Sequence, residues 1–152
     1  MSIVSTWSKP SSRLLLRFAV NALVAGSAIG AAHASVAVRI QLSQQTMSVA
    51  VDGADFATWP VSTARRGYRT PVGSYKPYSL ERMHYSRLYD DTPMPYSIFF
   101  RGGYAIHGTT EIRNLGRAVS HGCVRLSPDN ARSLFELVQS QGRQNTTIEI
   151  IR

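Results

Sequence analysis

The sequence predicts an α+β domain, mainly β, with one substantial helix near its C-terminal end. Three observations carry this. Residues 36–42 (VAVRIQL) and Thr46–Val51 (TMSVAV) each alternate apolar and polar side chains, the period of a half-buried strand. Asp52-Gly53 follows the second run, a hairpin signal, because glycine accepts positive φ without a Cβ clash. Ala131, Leu134, Phe135 and Val138 recur at i, i+3, i+4 and i+7, which gives a helix one apolar face.

Residues 1–34 read as a leader. Lys9, Arg13 and Arg17 open it, no acidic residue precedes Asp52, and residues 18–32 are small and apolar. Ala32-His33-Ala34 fits an A-x-A cleavage site, so a signal peptide of residues 1–34 is expected to be removed on export, leaving 35–152. The alternative is a retained anchor, but a spanning helix needs about 20 strongly apolar residues and this run is short and weak. A domain of the remaining size can bury a core without disulfides or metal. The chain carries 17 Lys+Arg against 9 Asp+Glu; with three of the basic residues in the leader, the exported part keeps a formal charge of +5. Its charges are scattered, which argues against nucleic acid and fits either a solvated basic surface or an anionic polymer as partner.

In chain order, residues 43–45 make a turn and residues 54–63 return as a third strand, which Pro60 confines to an edge or a bulge. Thr70-Pro71-Val72-Gly73-Ser74 is a turn by its proline and glycine. Residues 78–95 lose periodicity and are long and polar for a connection. They are expected to wall a cleft, with a short helical turn near residues 81–85. Residues 96–100 (YSIFF) and 104–106 (YAI) read as paired strands about the Arg101-Gly102-Gly103 turn, and residues 111–117 are too short and broken for a full helix. The helix starts at Ser127 as N-cap, with Pro128 in the first position and Asp129 at the positive end, and Gly142 stops it. Thr146–Ile151 is a terminal strand.

The chemistry gathers in residues 104–126 (YAIHGTTEIRNLGRAVSHGCVRL). They hold Cys123, the one cysteine of the chain, which cannot form an internal disulfide. A lone cysteine is commonly a buried small hydrophobe. Here the His121-Gly122 pair precedes it and His107-Gly108 ends a predicted strand, which favours a nucleophile and a base. His121 sits two residues from Cys123, but Gly122 implies a bend between them. His107, held at a strand end, is the preferred base, with its second ring nitrogen donating to a carbonyl such as that of Gly108. Gly122 would let the N–H groups from His121 to Cys123 converge on an oxyanion. Ser120 would fix the turn, and Arg125 would bind a carboxylate in bidentate fashion. A zinc site of His107, His121 and Cys123 lacks paired-ligand spacing and a fourth ligand. His84 and His33 read as surface and leader residues.

The strings AIHGT (105–109) and SHGCVRL (120–126) resemble the L,D-transpeptidases with a YkuD-type catalytic domain. VDG (51–53), PVST (60–63), TPVGSY (70–75) and MPYSIFF (94–100) resemble them too, so the likeness covers nearly all of residues 35–152. Two departures stand out: Arg125 where the family often has asparagine, and a short gap from His107 to Ser120. The resemblance implies a YkuD-like, sheet-rich sandwich with a helix following the cysteine. It also implies a periplasmic, cell-envelope enzyme acting on peptidoglycan stem peptides as donor and acceptor. Cys123 would form a thioester and release D-alanine, and a second stem's amine would resolve it as a 3→3 cross-link. His107 would be general base and acid. Backbone N–H groups near His121, Gly122 and Cys123 would form the oxyanion hole, Ser120 and Gly108 would complete the motif, and Arg125 and Tyr104 would bind the donor. No cofactor and no metal are implied. The rival readings are an L,D-carboxypeptidase, with water as acceptor, and a non-catalytic wall-binding module.

Overall fold

A computed structural model describes residues 34–152; the expected leader, but for Ala34, lies outside the described residues. Among the described residues, no helix is long and apolar enough to cross a membrane. In chain order the elements are β1 (Val36–Gln41), β2 (Thr46–Val51), β3 (Ala54–Pro60), β4 (Gly73–Tyr75), β5 (Ser79–Ser86), β6 (Thr92–Arg101), β7 (Tyr104–Gly108), β8 (Val124–Leu126), α1 (Pro128–Gln141) and β9 (Thr146–Ile151). They build one sheet in the order β3-β2-β1-β9-β4 and a second in the order β5-β6-β7-β8. Both sheets are mixed: β1 runs parallel to β9 and β7 parallel to β8, while the other neighbours are antiparallel.

The alternating strands bury one face each. Val36, Val38 and Ile40 of β1, Met47 and Val49 of β2, and Ile148 and Ile150 of β9 meet Ile98, Phe100, Ile106, Val124 and Leu126 of the second sheet in one core. Helix α1 closes it with Ala131, Leu134, Phe135 and Val138, the face expected from their spacing. The Ser127 hydroxyl accepts the Asn130 N–H, Pro128 needs no partner for its missing N–H, and Gly142 (φ 93°) ends the helix by donating to the Val138 carbonyl.

The third strand differs from its expected span. It stays in the first sheet only to Pro60, on that sheet's edge, where a residue without an N–H is tolerated. Residues 61–64 then cross to the second sheet and cover the open edge of β8. Ser62 and Arg125 exchange backbone hydrogen bonds, and the Ser120 N–H donates to the Thr63 carbonyl. The buried Gln45 side chain holds this corner, donating to Leu42 O (2.8 Å) and Thr63 Oγ1 (2.6 Å) and accepting from Thr63 N (2.9 Å). Gln45→Leu strands those buried groups and is expected to lower stability by about 1–3 kcal/mol in chemical denaturation.

Residues 78–95 do wall a cleft, but they do so as strands. Where a helical turn was expected near residues 81–85, β5 pairs with β6 in a hairpin. Two features hide these strands from periodicity. β5 is an edge strand with wet faces, and Tyr96 (φ 57°) kinks β6. β4 and β8, three residues each, are too short to show a period. The turn expected at residues 70–74 thus hands its last two residues to β4.

Candidate active site

The second sheet has two faces with different fates. Ile106, Val124 and Leu126 point into the core. Because side chains alternate along a strand, Ala105 and His107 of β7 and Arg125 of β8 lie on the opposite face. Ile106 pairs with Val124 and His107 with Arg125; one step back along this parallel register, Cys123 comes beside Ala105. Cys123 packs there with Met94, Phe99 and Ala105, a small apolar cluster apart from the main core. His107 is therefore the diagonal cross-strand neighbour of Cys123 on one face. The two side chains thus share one face of adjacent strands and open into the same cleft. Both side chains line a cleft of about 940 Å³, with Arg125, Tyr104, His84 and Glu81 around them.

His107 is 5% exposed. Its Nδ1 lies 2.8 Å from the Gly108 carbonyl, which can only accept, so Nδ1 carries the proton and Nε2 keeps its lone pair. Burial, partly offset by that hydrogen bond, lowers its pKa to about 4, and the charges of Arg125 and His84 push the same way. The ring is neutral at neutral pH. Burial also pushes the Cys123 thiol above its ordinary value, against the opposing pull of the Ala105 backbone and Arg125. The resting pair is thus thiol and imidazole rather than thiolate and imidazolium.

The turn before Cys123 is fixed from inside. Ser120 Oγ donates to the Cys123 carbonyl (2.7 Å) and accepts the Gly122 N–H (3.0 Å). Thr70 Oγ1 donates to the Gly122 carbonyl (2.8 Å) and accepts the Ala64 N–H (3.0 Å), tying the turn to residues 61–70. Gly122 has φ 141°, and a Cβ there would lie 2.6 Å from the Tyr104 ring and 3.0 Å from the Arg69 carbonyl. Gly122→Ala is expected to lower the melting temperature through about 1–3 kcal/mol of backbone strain, and to move Tyr104 in the cleft.

Residues 35–150 match the family model of the YkuD-type L,D-transpeptidase catalytic domain. The chain belongs to this family. Over 49 residues it is 47% identical to the Escherichia coli K12 protein named "Probable L,D-transpeptidase YbiS", covering 32% of this chain and 16% of that protein. An L,D-transpeptidase structure from Mycobacterium smegmatis superposes with TM-score 0.69 at 26% identity, over 78% of this chain and 59% of the other. The transpeptidase LdtMt1, solved in complex with imipenem, gives TM-score 0.68 at 26% identity, over 78% and 59%. The chain thus spans less than two thirds of the length of each of these relatives. Among the described residues, the two mixed sheets and the helix after β8 match the fold of those structures.

Within this L,D-transpeptidase domain the expected site residues divide. Cys123, His107, Arg125, Tyr104, His121 and Ser120 all line the cleft. His121, the rival base, is instead stacked on Tyr89 (4.4 Å, 8°) and edge-on to Tyr68 (4.7 Å), so the hairpin tip leans on its ring. The Gly122 N–H, expected at an oxyanion, donates instead to Ser120 Oγ (3.0 Å). Among the described residues, the His121 and Cys123 N–H groups have no protein acceptor. Gly108 takes the place expected for it beside His107. Its carbonyl orients His107, and the absence of a side chain admits Pro95 and Pro128, 3.1 and 3.2 Å from where a Cβ would sit. Arg125 is held by Glu111 (2.9 Å). Two residues were missed. Thr70 was read only as part of a turn. His84, read as surface, lines the cleft with its Nδ1 2.7 Å from Glu81. Nothing in the sequence marks His84, because the kink at Tyr96 sets the direction of the strand pair there.

Proposed function

We propose that the chain is a peptidoglycan L,D-transpeptidase of the cell envelope, exported by a cleaved leader, with Cys123 as nucleophile and His107 as general base and acid. The observation that carries this is the placement of Cys123 and a neutral, buried His107 on one wet face of adjacent strands, with Nε2 left as acceptor. As the sulfur attacks the stem peptide carbonyl, His107 Nε2 takes the thiol proton. The His121 and Cys123 N–H groups donate to the oxyanion; one such donor typically contributes about 2.7–4 kcal/mol to lowering the barrier. His107 then protonates the departing D-alanine amine, leaving a thioester on Cys123. The amine of a second stem attacks that thioester and gives the 3→3 cross-link.

Arg125 and Tyr104 border the donor. A second recess of about 320 Å³, lined by Arg69, Pro71, Val72, Arg101 and Tyr104, adjoins the cleft across the tyrosine. Two recesses that share one wall suit two peptides, which favours transfer over hydrolysis. The test is product analysis. Purified protein incubated with a defined stem tetrapeptide is expected to give cross-linked dimer. Tripeptide alone would identify a carboxypeptidase, and unchanged substrate would leave a wall-binding module. The LdtMt1 complex makes imipenem the natural probe of acylation.

A further inference from the structure

The proton count of the transfer step asks for a second base. At neutral pH a primary amine with pKa near that of lysine, about 10.4, arrives as an ammonium. It carries three N–H protons, and the amide it becomes keeps one. Of the two that leave, one returns to sulfur as the C–S bond breaks, which His107 can relay. The other has to go elsewhere. Hydrolysis makes no such demand: water gives one proton, relayed to sulfur, and the product acid ionises in solvent.

The cleft holds a second imidazole placed for this. The sheet's alternation fails at Tyr96, whose left-handed backbone (φ 57°) is costly for a residue with a Cβ. Ser97 Oγ bonds the Met94 carbonyl across the kink (2.8 Å). As a result Met94 and Phe99, five residues apart, share the cluster that holds Cys123. Across the pair, Glu81 and His84, three apart in β5, point the same way into the cleft. His84 packs edge-on against Phe99 (5.0 Å). Its Nδ1 is 2.7 Å from the Glu81 carboxylate, an acceptor, so Nδ1 donates and Nε2 is the basic nitrogen. The His84 ring is a third exposed, open to an incoming ligand and to solvent.

We propose that His84, held by Glu81, is a second general base that removes the surplus proton from the acceptor amine in the cleft shared with Cys123. The inference rests on the transpeptidase reading. His84 Nε2 takes one proton from the ammonium, and Glu81 offsets the charge on the ring. The freed amine lone pair forms the C–N bond and the thioester C–S bond breaks. His107 carries the second amine proton to the thiolate, and His84 returns its own to solvent.

The test compares acceptors on the acyl-enzyme formed from a stem tetrapeptide. One acceptor is a simple alkylamine, cationic at neutral pH; the other is hydroxylamine, largely unprotonated there. Amide, hydroxamate and free acid are counted by mass spectrometry. In His84→Gln the ratio of alkylamide to free acid is expected to fall at least about a hundredfold, the low end for a lost general base. The hydroxamate ratio should fall far less. Glu81→Gln should move both ratios in the same directions, less strongly, and melting curves report the fold of each variant. Equal falls for both acceptors would mean a structural role, and no fall would mean no role; either overturns the proposal while leaving the transpeptidase reading intact. A wild-type chain that forms no acyl-enzyme overturns both.

Discussion

Cys123→Ala abolishes the covalent adduct that imipenem is expected to form with the wild-type chain, read as loss of the added mass in intact-protein spectra. The same variant gives neither cross-linked dimer nor tripeptide from stem tetrapeptide. Both losses should be complete, because no other side chain of the chain is a thiol. Folding should hardly change. The sulfur packs against a small cluster of Met94, Phe99 and Ala105 away from the main core, and its hydrogen bond to the Gly103 carbonyl is long at 3.7 Å. Removing it is expected to move stability by no more than about 1 kcal/mol. Full folding with no adduct therefore separates a nucleophile from a packing residue. An adduct that survives in Cys123→Ala would place the acylated group elsewhere and end the thioester mechanism.

The sequence made this site legible where chemistry and local geometry coincide. Cys123 and His107 stood out because each pairs a reactive side chain with a neighbouring glycine, and the alternation of β7 fixes which way His107 faces. Helix α1 was legible at both ends, since Ser127, Pro128 and Gly142 each act within a turn of their own position. What could not be read depends on distant partners. Gln45 and Thr70 are ordinary turn residues until residues 61–64 leave the first sheet and lie along β8. The Gly122 N–H, expected at an oxyanion, donates to Ser120 Oγ. Whether its N–H is free depends on the Ser120 rotamer, which no spacing encodes. Tyr89 and Tyr68 came unannounced against His121 because residues 78–95 fold as a hairpin rather than a loop. The β5–β6 pair was hidden by an edge strand wet on both faces and by one backbone angle at Tyr96.

His107→Asn is expected to slow acylation by about 10²–10⁴-fold, the usual contribution of a positioned general base. Asparagine can keep an N–H near the Nδ1 position for the Gly108 carbonyl, but it offers no proton acceptor where Nε2 stood. His121→Gln should slow acylation much less, since that ring is engaged with Tyr68 and Tyr89. The pH profile gives the sharper readout. With the folded pKa at about 4, wild-type acylation should stay flat from pH 8 down to pH 5 and fail only as the ring protonates near 4. A solvated histidine would fail near 6.5. Stability follows the same ring. His107 is neutral in both folded and unfolded chains above pH 6.5, so its contribution is fully present there. Between 6.5 and about 4 only the unfolded chain takes up the proton, and native stability falls with pH. The span corresponds to roughly 3 kcal/mol at 1.36 kcal/mol per pH unit. Urea titrations of the wild type and His107→Asn should therefore diverge by about that much from pH 7 to pH 4, with the wild type losing more. Parallel curves, together with an acylation limb near 6.5, would put the imidazole in water. A ring in water would be partly protonated near neutral pH, and the thiol would then have to ionise before attack rather than during it.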